Sequence, residues 1–181
     1  MKPIYKPQTE WLPPESFPDL SKYDEIAIDL ETKDPELKKL GSGSVTGKGH
    51  IVGIAVAVED WSGYYPIRHE GGGNMEIRKV LNWFEDVLKT PAIKIFHNAM
   101  YDVCFIRSEN LKIEGRIVDT MIAGSLVDEN RFRYDLGSLG RDYVGIGKNE
   151  AVLNETAATW GIDPKSEMYK LPAMYVGEYA E

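Results

Sequence analysis

Along this chain, apolar positions first fall in short strand-like runs and then change to helical spacing. Ile26, Ala27, Ile28 and Leu30, within residues 24–31, read as a buried strand. The run "IVGIAVAVED" (51–60) predicts a second strand. "SGYYPIRH" (62–69) predicts a third, paired with it as a hairpin through residues 61–63. Ile77, Val80, Leu81, Phe84 and Leu88 then recur at helical spacing, with Asn74 as the expected N-cap and Pro91 as the stop. From there strand and helix alternate. "AIKIF" (92–96) predicts a strand, "NAMYDVCFIRSE" (98–109) a helix opened by Asn98, Ile117 and Val118 a short strand, and "DTMIAGSLVDE" (119–129) a helix. Further helices are expected at 135–145, stopped by Gly145, at 151–160, stopped by Gly161, and from Pro172 onward. Three strands followed by alternating units imply an α/β mixed sheet, three antiparallel strands and then parallel ones, flanked by helices.

Residues 1–22 carry Pro3, Pro7, Pro13, Pro14 and Pro18, a spacing that excludes a long helix or a central strand. They are expected to form an extended arm, with the domain proper at 23–181. The final helix reaches Glu181 with no glycine, asparagine or proline stop. The expectation is therefore of a domain truncated at its C-terminus, inside a helix of a longer protein.

Composition narrows the class. The 181 residues are 43% hydrophobic and 28% charged, as in a globular chain. No apolar run approaches the ~20 residues that span a bilayer, and no apolar stretch follows the first lysines, so neither a membrane nor secretion is expected. One cysteine, Cys104, excludes an internal disulfide and a Cys-rich zinc site, and fits a cytoplasmic setting. The net charge of −8 argues against a non-specific DNA coat, but is compatible with a nucleic-acid enzyme whose acids hold metal.

The candidate chemistry starts with Asp29 and Glu31. Two residues apart in a strand, they project together. Adjacent carboxylates in a mostly buried strand repel and lose hydration, and a divalent cation reverses both effects. Hard oxygen ligands suit Mg2+ or Mn2+. Such a pair at a strand end is about as often an ordinary surface feature. Asp102 adds a third acid, four residues after Asn98 and on the same helical face. If the strand at 92–96 lies beside the first, all three acids converge on one cleft.

"IAIDLET", then "HNAMYD" some seventy residues on, then "DTMIAGSLVDE" and "LPAMYVGEYAE", resemble the motifs of the DnaQ-like 3′–5′ exonucleases. The match is closest to proofreading domains of phage-type family A DNA polymerases, and it covers about residues 20–181. The resemblance implies an RNase H-like fold and four carboxylates holding two metal ions. It makes Asp29, Glu31 and Asp102 metal ligands. Asn98, Leu30, Thr32 and His97 become substrate-side candidates. One branch of the family uses a histidine in its last motif, the other a tyrosine four residues before an aspartate. His50, His69 and His97 all lie too early, so the tyrosine branch is favoured and Tyr179 becomes the catalytic candidate. Its acid would fall at position 183. The implied reaction is hydrolysis of the 3′-terminal phosphodiester of single-stranded DNA. Two metals about 4 Å apart flank the phosphate, and Tyr179 orients the water. The implied partners are the 3′ end of single-stranded DNA and a polymerase domain of the same parent chain. The implied location is the host cytoplasm for a phage protein. An RNase D-like exoribonuclease and a catalytically silent DNA-positioning domain are the rival readings.

Other signals carry less. "GSVTGKG" misses the P-loop spacing and precedes a strand, so it reads as a mobile loop near the cleft. Asp119 reads as an N-cap. His69 and His97 stand at strand ends, where a hydrogen-bonded structural histidine is at least as common as a substrate contact. Cys104, one turn from Met100, reads as core. Arg131, Phe132 and Arg133 read as a solvated loop.

Overall fold

The computed structural model describes residues 8–181; the arm's first two prolines, Pro3 and Pro7, lie outside them. Five strands form one sheet in the order β3-β2-β1-β4-β5: β1 Glu25–Lys33, β2 His50–Val58, β3 Trp61–Pro66, β4 Ile93–Phe96 and β5 Ile117–Asp119. β1 pairs antiparallel with β2 and parallel with β4; β2–β3 is antiparallel and β4–β5 parallel. The expected switch from antiparallel to parallel pairing is present. It leaves β1 in the middle, with β4 beside it.

The two faces of the sheet meet different layers. Ile26, Ile28 and Leu30 face a core closed by helix α3 (Ile77–Lys89) and helix α4 (Ala99–Ser108). Val80, Trp83, Phe84, Val87 and Leu88 form the buried stripe of α3, at the spacing of one helical face. Lys94 of β4 also points into this layer and is fully buried. Its ammonium donates to the carbonyls of Thr90, Ala92 and Glu114, so every proton finds an oxygen and the charge is held without an acid. On the opposite face, Ala55 and Tyr64 pack with Leu153, Met168, Leu171 and Val176. These come from α7 (Ala151–Trp160) and the segment leading to α8 (Gly177–Ala180).

The described arm, from residue 8, runs along this assembly without regular structure. Phe17 stacks on Tyr65 with ring centroids 5.4 Å apart, and Trp83 donates to the Pro18 carbonyl. Thr9 donates to Glu178 at 2.7 Å and Trp11 to Glu181 at 2.8 Å. The last turn is thereby tied down by the arm rather than frayed.

Several local expectations are corrected. The N-cap of α3 is Glu76, whose carboxylate accepts from the N–H groups of Arg78 and Lys79; Asn74 instead holds both backbone groups of His69. The hairpin turns at residues 59–60, with Trp61 already in β3. The loop after β1 contains two single turns, α1 (Leu37–Leu40) and α2 (Gly43–Thr46), and Asp34 fastens it by accepting from Gly43 N–H. α5 spans Thr120–Val127 and α6 only Leu136–Leu139, after which residues 140–144 widen into a π turn that stops at Gly145. The segment from Pro172 is a 3-10 turn, Ala173–Tyr175, followed by α8, not one helix. Cys104 is half-buried beside a largely exposed Met100, because the buried face of α4 is Ala99, Asp102, Phe105 and Ile106.

Candidate active site

Alternation along β1 sends Ala27, Asp29 and Glu31 to the face opposite Ile26, Ile28 and Leu30. In the register with β2, Asp29 stands opposite Ala55 and Glu31 opposite Gly53. These small neighbours leave a recess above the acids. A side chain at Gly53 is excluded from below, since a Cβ there would lie 2.1 Å from the Tyr64 hydroxyl. That hydroxyl is 2.7 Å from His69 Nε2, and His69 Nδ1 is 3.0 Å from the Leu171 carbonyl. A carbonyl only accepts, so Nδ1 carries the proton and Tyr64 donates to Nε2. Burial lowers the His69 pKa to about 4, against the hydrogen bond to Leu171, so the ring is neutral. His69 is thus a structural support beneath the acids.

Asp102 joins them from α4, where it is buried. The start of that helix is not capped as the sequence suggests. Asn98 takes a left-handed conformation, φ 65°, with no side-chain cap, so it does not share a helical face with Asp102. Asp119 does the capping. Its carboxylate accepts from the N–H groups of Asn98 (3.0 Å) and Ala99 (2.8 Å) on α4, and from Met121 (2.9 Å) on α5. Burial opposes its charge, but these backbone donors outweigh it and hold the Asp119 pKa below its usual value. One acid thereby sets the starts of two helices, including the one that aims Asp102.

The three candidate ligands sense one another. Burial first, then Asp29, pushes Glu31 up to about 8. Burial and then Asp29 push Asp102 up to about 8, against a hydrogen bond from the Leu30 N–H. Asp29 is also raised by burial, against Lys148 and His97; it keeps an opening to solvent through the recess while protein surrounds it closely. Three hard-oxygen donors, of which Asp29 raises the pKa of the other two, fit a hard divalent cation. As they stand, no three His, Cys, Asp or Glu side chains among the described residues are grouped to hold a metal ion. The fit therefore lies in the chemistry of the donor set, hard carboxylate oxygens.

The recess is a cavity of about 290 Å³ whose walls include Asp29, His97, Thr120, Leu136, Lys148 and Tyr179. His97 Nδ1 lies 2.9 Å from Thr120 Oγ1, which itself donates to the Phe96 carbonyl. His97 therefore donates through Nδ1. Tyr179 reaches the recess from α8, and burial, then Glu31 and Asp29, raise its pKa above the usual tyrosine range. It remains a protonated phenol.

Of the substrate-side candidates, His97 lines the cavity and Asn98, the next residue, is exposed. Thr32 is bonded to Tyr101 at 2.8 Å, and Tyr101 donates onward to Asp34. Leu30 does not face the acids: its side chain is buried in the α3–α4 core, and only its backbone borders Asp102. Lys148 went unnoticed in the sequence. Its ammonium donates to Tyr179 Oη at 3.3 Å and sits 5.1 Å from the ring centroid. It lies in a glycine-bounded loop with no periodic signal; a cation near an acid cluster was legible only after folding.

A family model described as 3′–5′ exonuclease matches residues 6–181. The chain belongs to this exonuclease family. A DNA-directed DNA polymerase of Pseudomonas phage M6 is 37% identical over 180 residues, 96% of this chain and 27% of that protein. DNA polymerase DpoZ of Acinetobacter phage SH-Ab 15497 is 24% identical over 172 residues, 91% of this chain and 25% of that protein. The exonuclease domain thus spans about a quarter of the length of the curated relatives it matches. Among solved structures, Brucella melitensis NrnC with bound Mg2+ superposes with a TM-score of 0.52 at 18% identity, over 71% of this chain and 57% of that one. Escherichia coli RNase D gives 0.52 at 13% identity, over 86% and 37%. These two likenesses show the RNase H-like exonuclease fold. The polymerase-associated reading fits better than the RNase D-like one, because the relatives found by sequence are polymerases.

Proposed function

We propose that this exonuclease domain removes nucleotides from the 3′ end of single-stranded DNA, as the proofreading part of a phage-type DNA polymerase acting in the host cytoplasm. Its partner would be the polymerase domain of the same parent chain, a reading supported by the polymerase relatives. The observation that supports the reaction is that Asp29 lines one recess with Tyr179 while its charge acts on the buried carboxyls of Glu31 and Asp102.

Exonucleases of this family depend on divalent metal. In this chain Asp29, Glu31 and Asp102 would hold it, as Mg2+ or Mn2+, in the two-metal manner. Bound there, the metal supplies a deprotonated water and neutralises charge on the phosphate. The chain's own residues do the rest. Tyr179, protonated, offers a donor that orients a water rather than a base that takes its proton. Lys148, hydrogen-bonded to that phenol, fixes its direction and brings positive charge to the phosphate side of the recess. His97, held through Nδ1 by Thr120, presents Nε2 to the cavity as an acceptor for the terminal nucleotide. Asn98, exposed next to His97, is a further candidate for contact with the strand.

The test uses a single-stranded DNA labelled at its 5′ end, with Mg2+ or Mn2+. A ladder of 5′-labelled products shortened one nucleotide at a time is expected. Asp29→Ala should slow it by several orders of magnitude while leaving the fold intact by circular dichroism. Near-normal cleavage by that variant would overturn the assignment, and preferential cleavage of the matching RNA would favour the exoribonuclease reading.

A further inference from the structure

A second cavity, of about 590 Å³, adjoins the recess and shares Leu136 and Lys148 with it. Its wall carries four cations, Arg133, Arg141, Lys148 and Lys165, against two acids, Asp135 and Glu150. Asp135 is already engaged: it accepts from Ser138 N–H at 3.0 Å and pairs with Arg133 at 2.9 Å. Among the described residues, Arg141 meets the Ser138 hydroxyl, at 3.3 Å, and Lys148 donates to the phenol of Tyr179 and offsets the charge of Asp29 and Glu31. The Lys165 ammonium has no acid partner among the described residues. Among the described residues, Arg141 and Lys165 thus face one cavity without an acid partner, with Lys148 beside them, and this positive patch suits an anionic ligand.

We infer that this basic cavity holds backbone phosphates of the strand on the 5′ side of the bond being cut. The inference rests on the proposed reaction for its direction. A 3′ exonuclease keeps the terminal nucleotide at the acids, so every remaining phosphate lies on the 5′ side. The first cavity, at about 290 Å³, has room for little more than one nucleotide, and the strand must leave it. Leu136 and Lys148 line both cavities, so the wall carrying Arg141 and Lys165 lies next to the recess. Flexible cations in an open cavity suit a backbone tracked by charge rather than a base read by hydrogen bonds. Lys148, at the junction, would meet the phosphate nearest the scissile bond, and Arg141 and Lys165 those beyond it. Affinity should therefore grow with strand length and carry a salt dependence, while the terminal step itself stays the same.

The experiment compares the protein with its Arg141→Ala/Lys165→Ala double variant on a dinucleotide and on a ten-nucleotide strand, both DNA. For the longer strand, KM should rise about tenfold or more with kcat within about twofold, and the plot of log(kcat/KM) against log salt should flatten by about 0.7 per lost phosphate contact. Dinucleotide cleavage should be unchanged. A parallel measurement, without metal, follows binding of a fluorescent ten-nucleotide strand by anisotropy, and about tenfold weaker binding is expected in the variant. If the unmodified protein cleaves nothing, the reaction proposed above fails, yet the anisotropy comparison still decides the cavity's role. Unchanged KM and unchanged binding for the long strand, or an equal loss on the dinucleotide, would overturn the inference.

Discussion

Gly177 is where the N-terminal arm and the last catalytic candidate depend on each other. It is buried at the start of α8, two residues before Tyr179, and the indole of Trp11 lies flat against it. A Cβ at this position would stand 1.9 Å from Trp11 Cδ2 and 2.1 Å from Cε2. No rotation of a methyl group relieves that, so Gly177→Ala must evict the ring. The loss includes the packing of a half-buried tryptophan, its 5.9 Å contact with the Tyr64 ring and its hydrogen bond to Glu181. Removing a fully buried aromatic costs about 3–5 kcal/mol; half of that, with about 1 kcal/mol for the aromatic pair, comes to about 3 kcal/mol. For a chain of this size the melting temperature should fall by about 6–12 °C. Trp11→Ala should cost a similar amount. The two changes should not add, because in the Trp11→Ala background nothing remains for the new methyl group to strike. In that background alanine should be favoured by up to about 1 kcal/mol, as the better helix former. Thermal melts of the four proteins, followed by circular dichroism, give the cycle. Turnover should fall in both single variants, since Tyr179 rides on the same turn. A Gly177→Ala protein that melts with the parent, or additive losses in the double variant, would refute the reasoning.

Two further outcomes follow from the site's electrostatics and its supports. Folded Glu31 and Asp102 keep their protons to about pH 8, whereas the unfolded chain releases them near 4.5 and 3.8. Between those limits the native state binds more protons, so metal-free stability should fall as pH rises from about 4 to 8, and Glu31→Gln should flatten the slope. A chelator-treated protein whose melting temperature is flat or rises over this window would contradict it. Asp119→Ala removes the acceptor from backbone donors at two helix starts, at about 1 kcal/mol for each cap, so urea unfolding should show a loss of about 2 kcal/mol and kcat should drop more than KM rises. A loss below about 0.5 kcal/mol would mean that water replaces the carboxylate.

Much of the fold was legible because its periods are local properties. Alternation in 24–31 and helical spacing in 77–88 depend on which neighbours share a face, and the chain carries that information within a few residues. The acids Asp29 and Glu31 were visible for the same reason: a strand sends residues two apart to one side. Their placement on the face opposite Leu30 follows from the same rule and removes Leu30 from the cleft. What the sequence could not show were relations between distant segments. Asn98 is a good N-cap by residue type, yet Asp119, from the neighbouring strand end, reaches both helices, because parallel pairing of β4 with β5 brings those ends together. Asn74 lost its capping role in the same way, to the backbone of His69. The path of the last turn depends on Thr9 and Trp11, some 170 residues earlier, which bond to Glu178 and Glu181 on either side of Tyr179. Lys148 carries no local signature at all. A cation acts through charge at a distance, and that distance exists only once α7 and α8 have folded back across the sheet.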